Sequence, residues 1–75
     1  MNSSTEKALS VLRADPYLAQ EMDSIVEYWI GPARYSAAGV DMRDSLEGDL
    51  VDALSRSELR EVCWEAIAAT LQNKR

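Results

Sequence analysis

The sequence contains no histidine and a single cysteine, Cys63. Without histidine there are no Ser-His or Cys-His nucleophile pairs, no ordinary general base near neutral pH, and few routes to a zinc site. One cysteine leaves no intramolecular disulfide, which excludes a small secreted fold stapled by bridges and points to a reducing cytoplasm. Basic residues are also scarce: eight Lys and Arg stand against thirteen Asp and Glu, a formal charge of -5. Direct binding to nucleic acid or to an anionic membrane would have to overcome that field, whereas a basic partner would be attracted. No apolar run approaches the ~18 residues of a membrane span, and MNSSTEKALSVLRADP has no basic head followed by a long apolar stretch. The chain is therefore expected to be neither exported nor membrane-spanning, to lack enzymatic activity, and to require no metal or cofactor.

What is present describes a small helical domain. Of the 75 residues, 47% are apolar and 28% charged, ordinary proportions for a folded chain and unlike those of a disordered one. A chain of this length buries only about 60% of the surface its unfolded form exposes, so its core is small. The pattern predicts an all-α, single-domain bundle of about four helices over residues 4–14, 16–30, 41–54 and 56–73, with 1–3 and 73–75 frayed. No strand pattern, repeat or low-complexity segment interrupts it.

Local signals set the boundaries. Ser3 and Glu6 have capping-box spacing ahead of a stripe of Ala8, Leu9, Val11 and Leu12. Asp15-Pro16 closes that helix and opens the next, because proline disfavours helical geometry in the residue before it yet loses nothing at a first helical position. Leu18, Met22, Ile25, Val26 and Trp29 then form one face of a 3.6-residue period, stopped by Gly31-Pro32. From Asp41 the period returns with Met42, Leu46, Leu50, Ala53 and Leu54, although Gly48 weakens that helix by about 1 kcal/mol relative to alanine. The segment LSRSEL supplies a capping box, Ser55 and Glu58, with Leu54 placed to staple on Leu59. The last helix carries Leu59, Val62, Cys63, Ala66, Ile67, Thr70 and Leu71 on its apolar face, which makes Cys63 a small core hydrophobe. Trp64 falls at the stripe edge, as a core rim or as an exposed interface anchor, and the rim is favoured because large aromatics are mostly buried.

The densest charge is DMRDSLEGDLVD, residues 41–52. A calcium loop does not fit: with Gly48 at its sixth position, Arg43 and Leu54 would occupy the first and twelfth, where carboxylates are needed. On a continuous helix Asp41, Asp44 and Asp52 cluster opposite the leucine stripe, with Glu47 and Asp49 flanking them. Glu58, Glu61 and Glu65 repeat this on the last helix, where the i, i+4 pair Glu61/Glu65 would be repulsive. Such faces are commonly just the solvated side of a helix. Alternatively, carboxylates spaced by about 5–6 Å stand in for backbone phosphates and occupy a basic groove. A helix-turn-helix is disfavoured, because the last helix is acidic where a recognition helix needs basic and amide side chains.

In size and charge alone the chain resembles the small acidic proteins that phages and mobile elements direct against host nucleic-acid machines, anti-CRISPR proteins and DNA mimics among them. The resemblance implies a non-enzymatic inhibitor docking on a basic surface of a larger protein, without contacting nucleic acid itself. The candidate contact residues are Tyr28, Arg34, Tyr35, Asp41, Asp44, Glu47, Asp49 and Asp52. A structural or accessory subunit, forming a homodimer or docking on a parent enzyme through Trp64 and Leu71, is the alternative. The segment ARYSAAG, residues 33–39, has no settled conformation from sequence; it is either a contact point or a cover over the small core.

Overall fold

Five α-helices make up the computed structural model, which describes residues 1–74. No strand occurs among the described residues, and among them no helix is long and apolar enough to cross a membrane. Helix α1 runs over Ser3–Ala14 and α2 over Pro16–Tyr28. Asp15 serves both: its carboxylate accepts from the Tyr17 and Leu18 amides at 2.9 and 3.4 Å, while Pro16 occupies the first turn of α2. The cap of α1 lies one residue earlier than the sequence spacing predicts. Asn2, not Ser3, accepts from the Thr5 amide at 2.7 Å, and its side-chain amide also donates to the Glu61 carbonyl at 2.8 Å, so one residue closes two helix ends.

The largest departure from the expected boundaries is in the middle of the chain. Pro32–Arg34 form a 3-10 turn, and α3 then runs over Tyr35–Leu46, beginning six residues before the predicted start at Asp41. ARYSAAG is therefore mostly helix. Gly39 reads locally as a loop signal, but within α3 it faces the backbone of α5 (Trp64–Asn73), and α3 with α5 is the most extensive helix pair of the fold. Tertiary packing overrides the local propensity there. At its other end α3 stops at Leu46, short of the predicted 54. Glu47–Leu50 tighten into a 3-10 turn, followed by a turn in which the Ala53 and Leu54 amides both donate to the Leu50 carbonyl. Gly48 weakens the helix, and the tighter winding lets Leu46, Leu50 and Leu54 all enter the core.

The predicted last helix is two. Helix α4 covers Arg56–Glu61 and begins with the expected capping box, the Glu58 amide donating to the Ser55 hydroxyl and the Ser55 amide to the Glu58 carboxylate. Val62 and Cys63 then adopt extended geometry before α5 begins. Extended residues alternate sides, so Val62 and Trp64 point into the core and Cys63 points out. This corrects the expectation that Cys63 is a core residue. Trp64 is 7% exposed and belongs to the core. The break is closed by α1: buried Thr5 accepts from the Cys63 amide at 2.9 Å and directs its hydroxyl toward the Glu61 carbonyl at 3.5 Å. Ser4 adds a hydrogen bond to the Glu61 carboxylate at 3.1 Å. The expected i, i+4 repulsion between Glu61 and Glu65 lapses, because the two residues lie on separate helices. Helix α5 extends to Asn73, and of the residues expected to fray, Arg75 lies outside the described residues.

Glu58 also joins α4 to α1, its carboxylate lying 3.1 Å from the Lys7 ammonium. The hydrogen bond from the Ser55 amide, and then the one from Lys7, hold the Glu58 carboxyl below its ordinary range. A depressed folded-state pKa stabilises the fold fully above the ordinary glutamate range, and the contribution is lost as pH falls through the lowered value. Thermal melts of wild type and Glu58→Gln should therefore differ by a constant amount from neutral pH down to that range and converge in more acidic solution. A difference that persists unchanged in acid would remove the charge from the account.

Candidate interaction surface

The predicted contact residues run from the corner between α2 and α3, along α3, into the turns after it. Tyr28, Arg34 and Tyr35 lie around the corner between α2 and α3, Asp41 and Asp44 lie one turn apart in the second half of α3, and Glu47, Asp49 and Asp52 lie in the turns after it. Tyr35 opens α3 and Asp44 lies nine residues later in it, about 13–14 Å along the helix axis. Past Leu46 the 100° wheel no longer applies, and Asp49 and Asp52 take their directions from the 3-10 winding and the turn.

At the corner, Trp29 is the organising residue. It caps α2, lies partly buried against the core, and donates from its indole nitrogen to the Asp41 carboxylate at 2.9 Å. Asp41 also accepts from the Ser45 hydroxyl at 3.5 Å, so this predicted contact residue is engaged within the fold, tying the end of α2 to α3. The Tyr28 ring meets that of Trp29 edge-on, with centroids 4.9 Å apart and planes at 79°, a favoured aromatic geometry. Tyr28 itself is 76% exposed. Arg34 is exposed at the end of the 3-10 turn, and Tyr35 is half-buried at the start of α3.

Two residues that the sequence did not single out complete the corner. Gln72, in the last turn of α5, clasps the chain on both sides of Ile30: its side-chain oxygen accepts from the Gly31 amide and its side-chain nitrogen donates to the Trp29 carbonyl, each at 2.8 Å. Gly31 has φ 108°, a conformation that side chains with a Cβ rarely adopt, and this lets the chain reverse between α2 and the 3-10 turn. Ile30, held between the two clasped peptide groups, is 66% exposed. One signal for Ile30 was available, since it falls off the Leu18/Met22/Ile25/Trp29 stripe. Gln72 carried none, because an amide in a polar C-terminal QNKR reads as a fraying end.

At the far end, Asp44 in α3 and Asp49 and Asp52 in the turns after it are exposed and Glu47 is half-buried, on a segment anchored by the buried Leu46, Leu50 and Leu54. The sequence holds no Lys or Arg from Asp44 to Ser55. Arg43 approaches Asp44 at 3.8 Å, an exposed contact of the kind that contributes at most about 1 kcal/mol. Between α3 and the α4–α5 junction runs a shallow groove of about 270 Å³, lined by Ser36, Val40, Arg43, Cys63 and Glu65 among others. Cys63 has no histidine to activate it there. Among the described residues no group of three or more His, Cys, Asp or Glu could hold a metal ion. Compared with known protein families, curated proteins and solved structures, the chain matches none.

Proposed function

We propose that this protein is a non-enzymatic binding protein that docks on a basic surface of a larger partner and inhibits it by occupying that surface, in the manner of anti-CRISPR or DNA-mimic proteins. One observation carries the reading: Asp44 in the last turn of α3, and Glu47, Asp49 and Asp52 on the short turns after it, lie on a segment pinned by three buried leucines, in a stretch without a basic residue. Carboxylates fixed on a rigid scaffold can substitute for a run of phosphates, since their spacing does not have to be ordered on binding. A cytoplasmic location suits such a partner. Trp64 and Leu71, two of the features behind the accessory-subunit reading, are both buried in the chain's own core.

The test is capture from native host lysate by the wild-type chain and by a triple variant, Asp44→Lys, Asp49→Lys and Asp52→Lys. The wild type should retain a partner with a basic surface, released steeply as salt rises, and the variant should bind it roughly tenfold more weakly or worse. Equal retention by the two proteins would sink the proposal.

A further inference from the structure

We infer that the α4–α5 junction is a two-state hinge, with the bent form of the structure held by the first turn of α1 and a straight form in which residues 56–73 make one continuous helix. The break at Val62 and Cys63 has no local cause. Elsewhere the chain carries its own stops and starts: Asp15 with Pro16, Gly31 with Pro32, and the Ser55 cap. Between Glu61 and Trp64 there is no glycine or proline, and Cys63, at the N-cap position of α5, makes no side-chain hydrogen bond to the helix it precedes. The apolar period also runs straight through the break, with Leu59, Val62, Cys63, Ala66, Ile67 and Leu71 at helical spacing.

What bends the chain is α1. The Asn2 side-chain amide donates to the Glu61 carbonyl at 2.8 Å, the Ser4 hydroxyl to the Glu61 carboxylate at 3.1 Å, and the Cys63 amide to the Thr5 hydroxyl at 2.9 Å. Helix α4 has no buried residue of its own, and its six residues are too few to persist unaided. In the bent form the first amides of α5 have no intrahelical acceptor, and the Cys63 carbonyl receives its bond from Ile67. In the straight form the amides of residues 63–66 would bond the carbonyls of residues 59–62. Opposing that gain are the withdrawal of the buried Val62 from the core and the return of Glu61 and Glu65 to repulsive i, i+4 spacing. Each form thus satisfies the backbone that the other leaves open, the condition for two packings of one sequence to exchange. Straightening frees the first turn of α1 and sets Val62 and Cys63 on one side of a helix about 27 Å long. A ligand that prefers either form shifts the balance between them.

Substitutions at the exposed Cys63 test the hinge without disturbing the core. Serine there supplies the missing cap of α5 and favours the bent form, whereas alanine supplies no cap and favours a continuous helix. Carbon-13 saturation-transfer NMR on the full chain reads a minor form through the Cα shifts of residues 62 and 63. Cys63→Ala should exchange with a form whose shifts at both positions are helical, populated roughly tenfold more than in Cys63→Ser. Thr5→Val, which removes the side-chain acceptor of the Cys63 amide, should raise the same form above its wild-type level. A minor form with coil shifts at 62 and 63 would mean that α4 frays rather than straightens, and would overturn the hinge. So would the absence of exchange in Cys63→Ala, equal populations in the alanine and serine variants, or a population indifferent to Thr5→Val.

Discussion

Replacing Gly39 with alanine should destabilise the fold by about 1–3 kcal/mol or more, the range for overpacking a filled site. A Cβ built there meets the Glu65 nitrogen at 2.8 Å, the Trp64 carbonyl carbon at 3.0 Å and the Glu65 Cα at 3.1 Å. These are backbone atoms at the first turn of α5, not the ends of flexible side chains, so relief requires α5 to move away from α3. That movement would disturb the most extensive helix pair in the molecule, including the buried Ala38 and Trp64. Opposing it is alanine's helix propensity, which favours the substitution by about 1 kcal/mol in an open helix. The steric term should win, because Gly39 has no open direction toward α5. Gly48 provides the control: nothing lies within 4 Å of its Cβ position and its φ is not positive, so Gly48→Ala should be neutral or stabilising by up to about 1 kcal/mol. Urea titrations of the two variants test the contrast, and a Gly39→Ala chain as stable as Gly48→Ala would show that the two backbones do not approach this closely.

The second large effect is expected at Thr5, replaced by valine of nearly the same shape. The substitution keeps the methyl packing of a fully buried side chain and removes only the hydroxyl that accepts from the Cys63 amide. The Glu61 carbonyl keeps its hydrogen bond from Asn2, so the group left without a partner is the Cys63 N–H. Its hydrogen bond is part-buried, and a donor left unsatisfied there costs up to the about 1–3 kcal/mol of a fully buried one. Thr5→Ser keeps the hydroxyl and loses one methyl group, for which roughly 1 kcal/mol is the expected scale. Denaturant midpoints should therefore rank wild type, then Thr5→Ser, then Thr5→Val. A valine variant equal to wild type would mean that the break between α4 and α5 does not depend on α1.

These two residues also show where the sequence could and could not be read. Ser55 with Glu58, and Asp15 with Pro16, act through neighbours three or fewer residues away, and their helix boundaries were legible for that reason. Gly39 and Thr5 act through residues 26 and 58 positions distant, and nothing local distinguishes a glycine that weakens a helix from one that admits a second backbone. The α4–α5 break follows the same logic. Val62, Cys63 and Ala66 fit a helical stripe, and the alternative, Val62 and Trp64 inward with Cys63 outward, is stable only because Thr5 arrives to satisfy the interrupted backbone. At the candidate site, Tyr28 was recognisable as exposed because it lies off the apolar stripe of α2. The engagement of Asp41 with Trp29, and that of Gln72 with the corner, arise from folding the chain back on itself. The acidic run after Asp44 was legible as charge, but its geometry changed once the 3-10 turn replaced a continuous helix.

The seam where α1 meets the α4–α5 junction has a consequence in time as well as in energy. Its hydrogen bonds join residues 56 to 59 positions apart, from Asn2, Ser4 and Thr5 to Glu61 and Cys63. Individual helices form from local contacts in about a microsecond, whereas closing so long a loop carries an entropic cost that is offset only when most of the chain is already in place. Such a seam closes late, and interactions made after the folding transition state act on the rate of opening rather than the rate of folding. The hydroxyl of Thr5 is thus a latch: it does little to guide the chain into its fold and much to set how long the chain stays there.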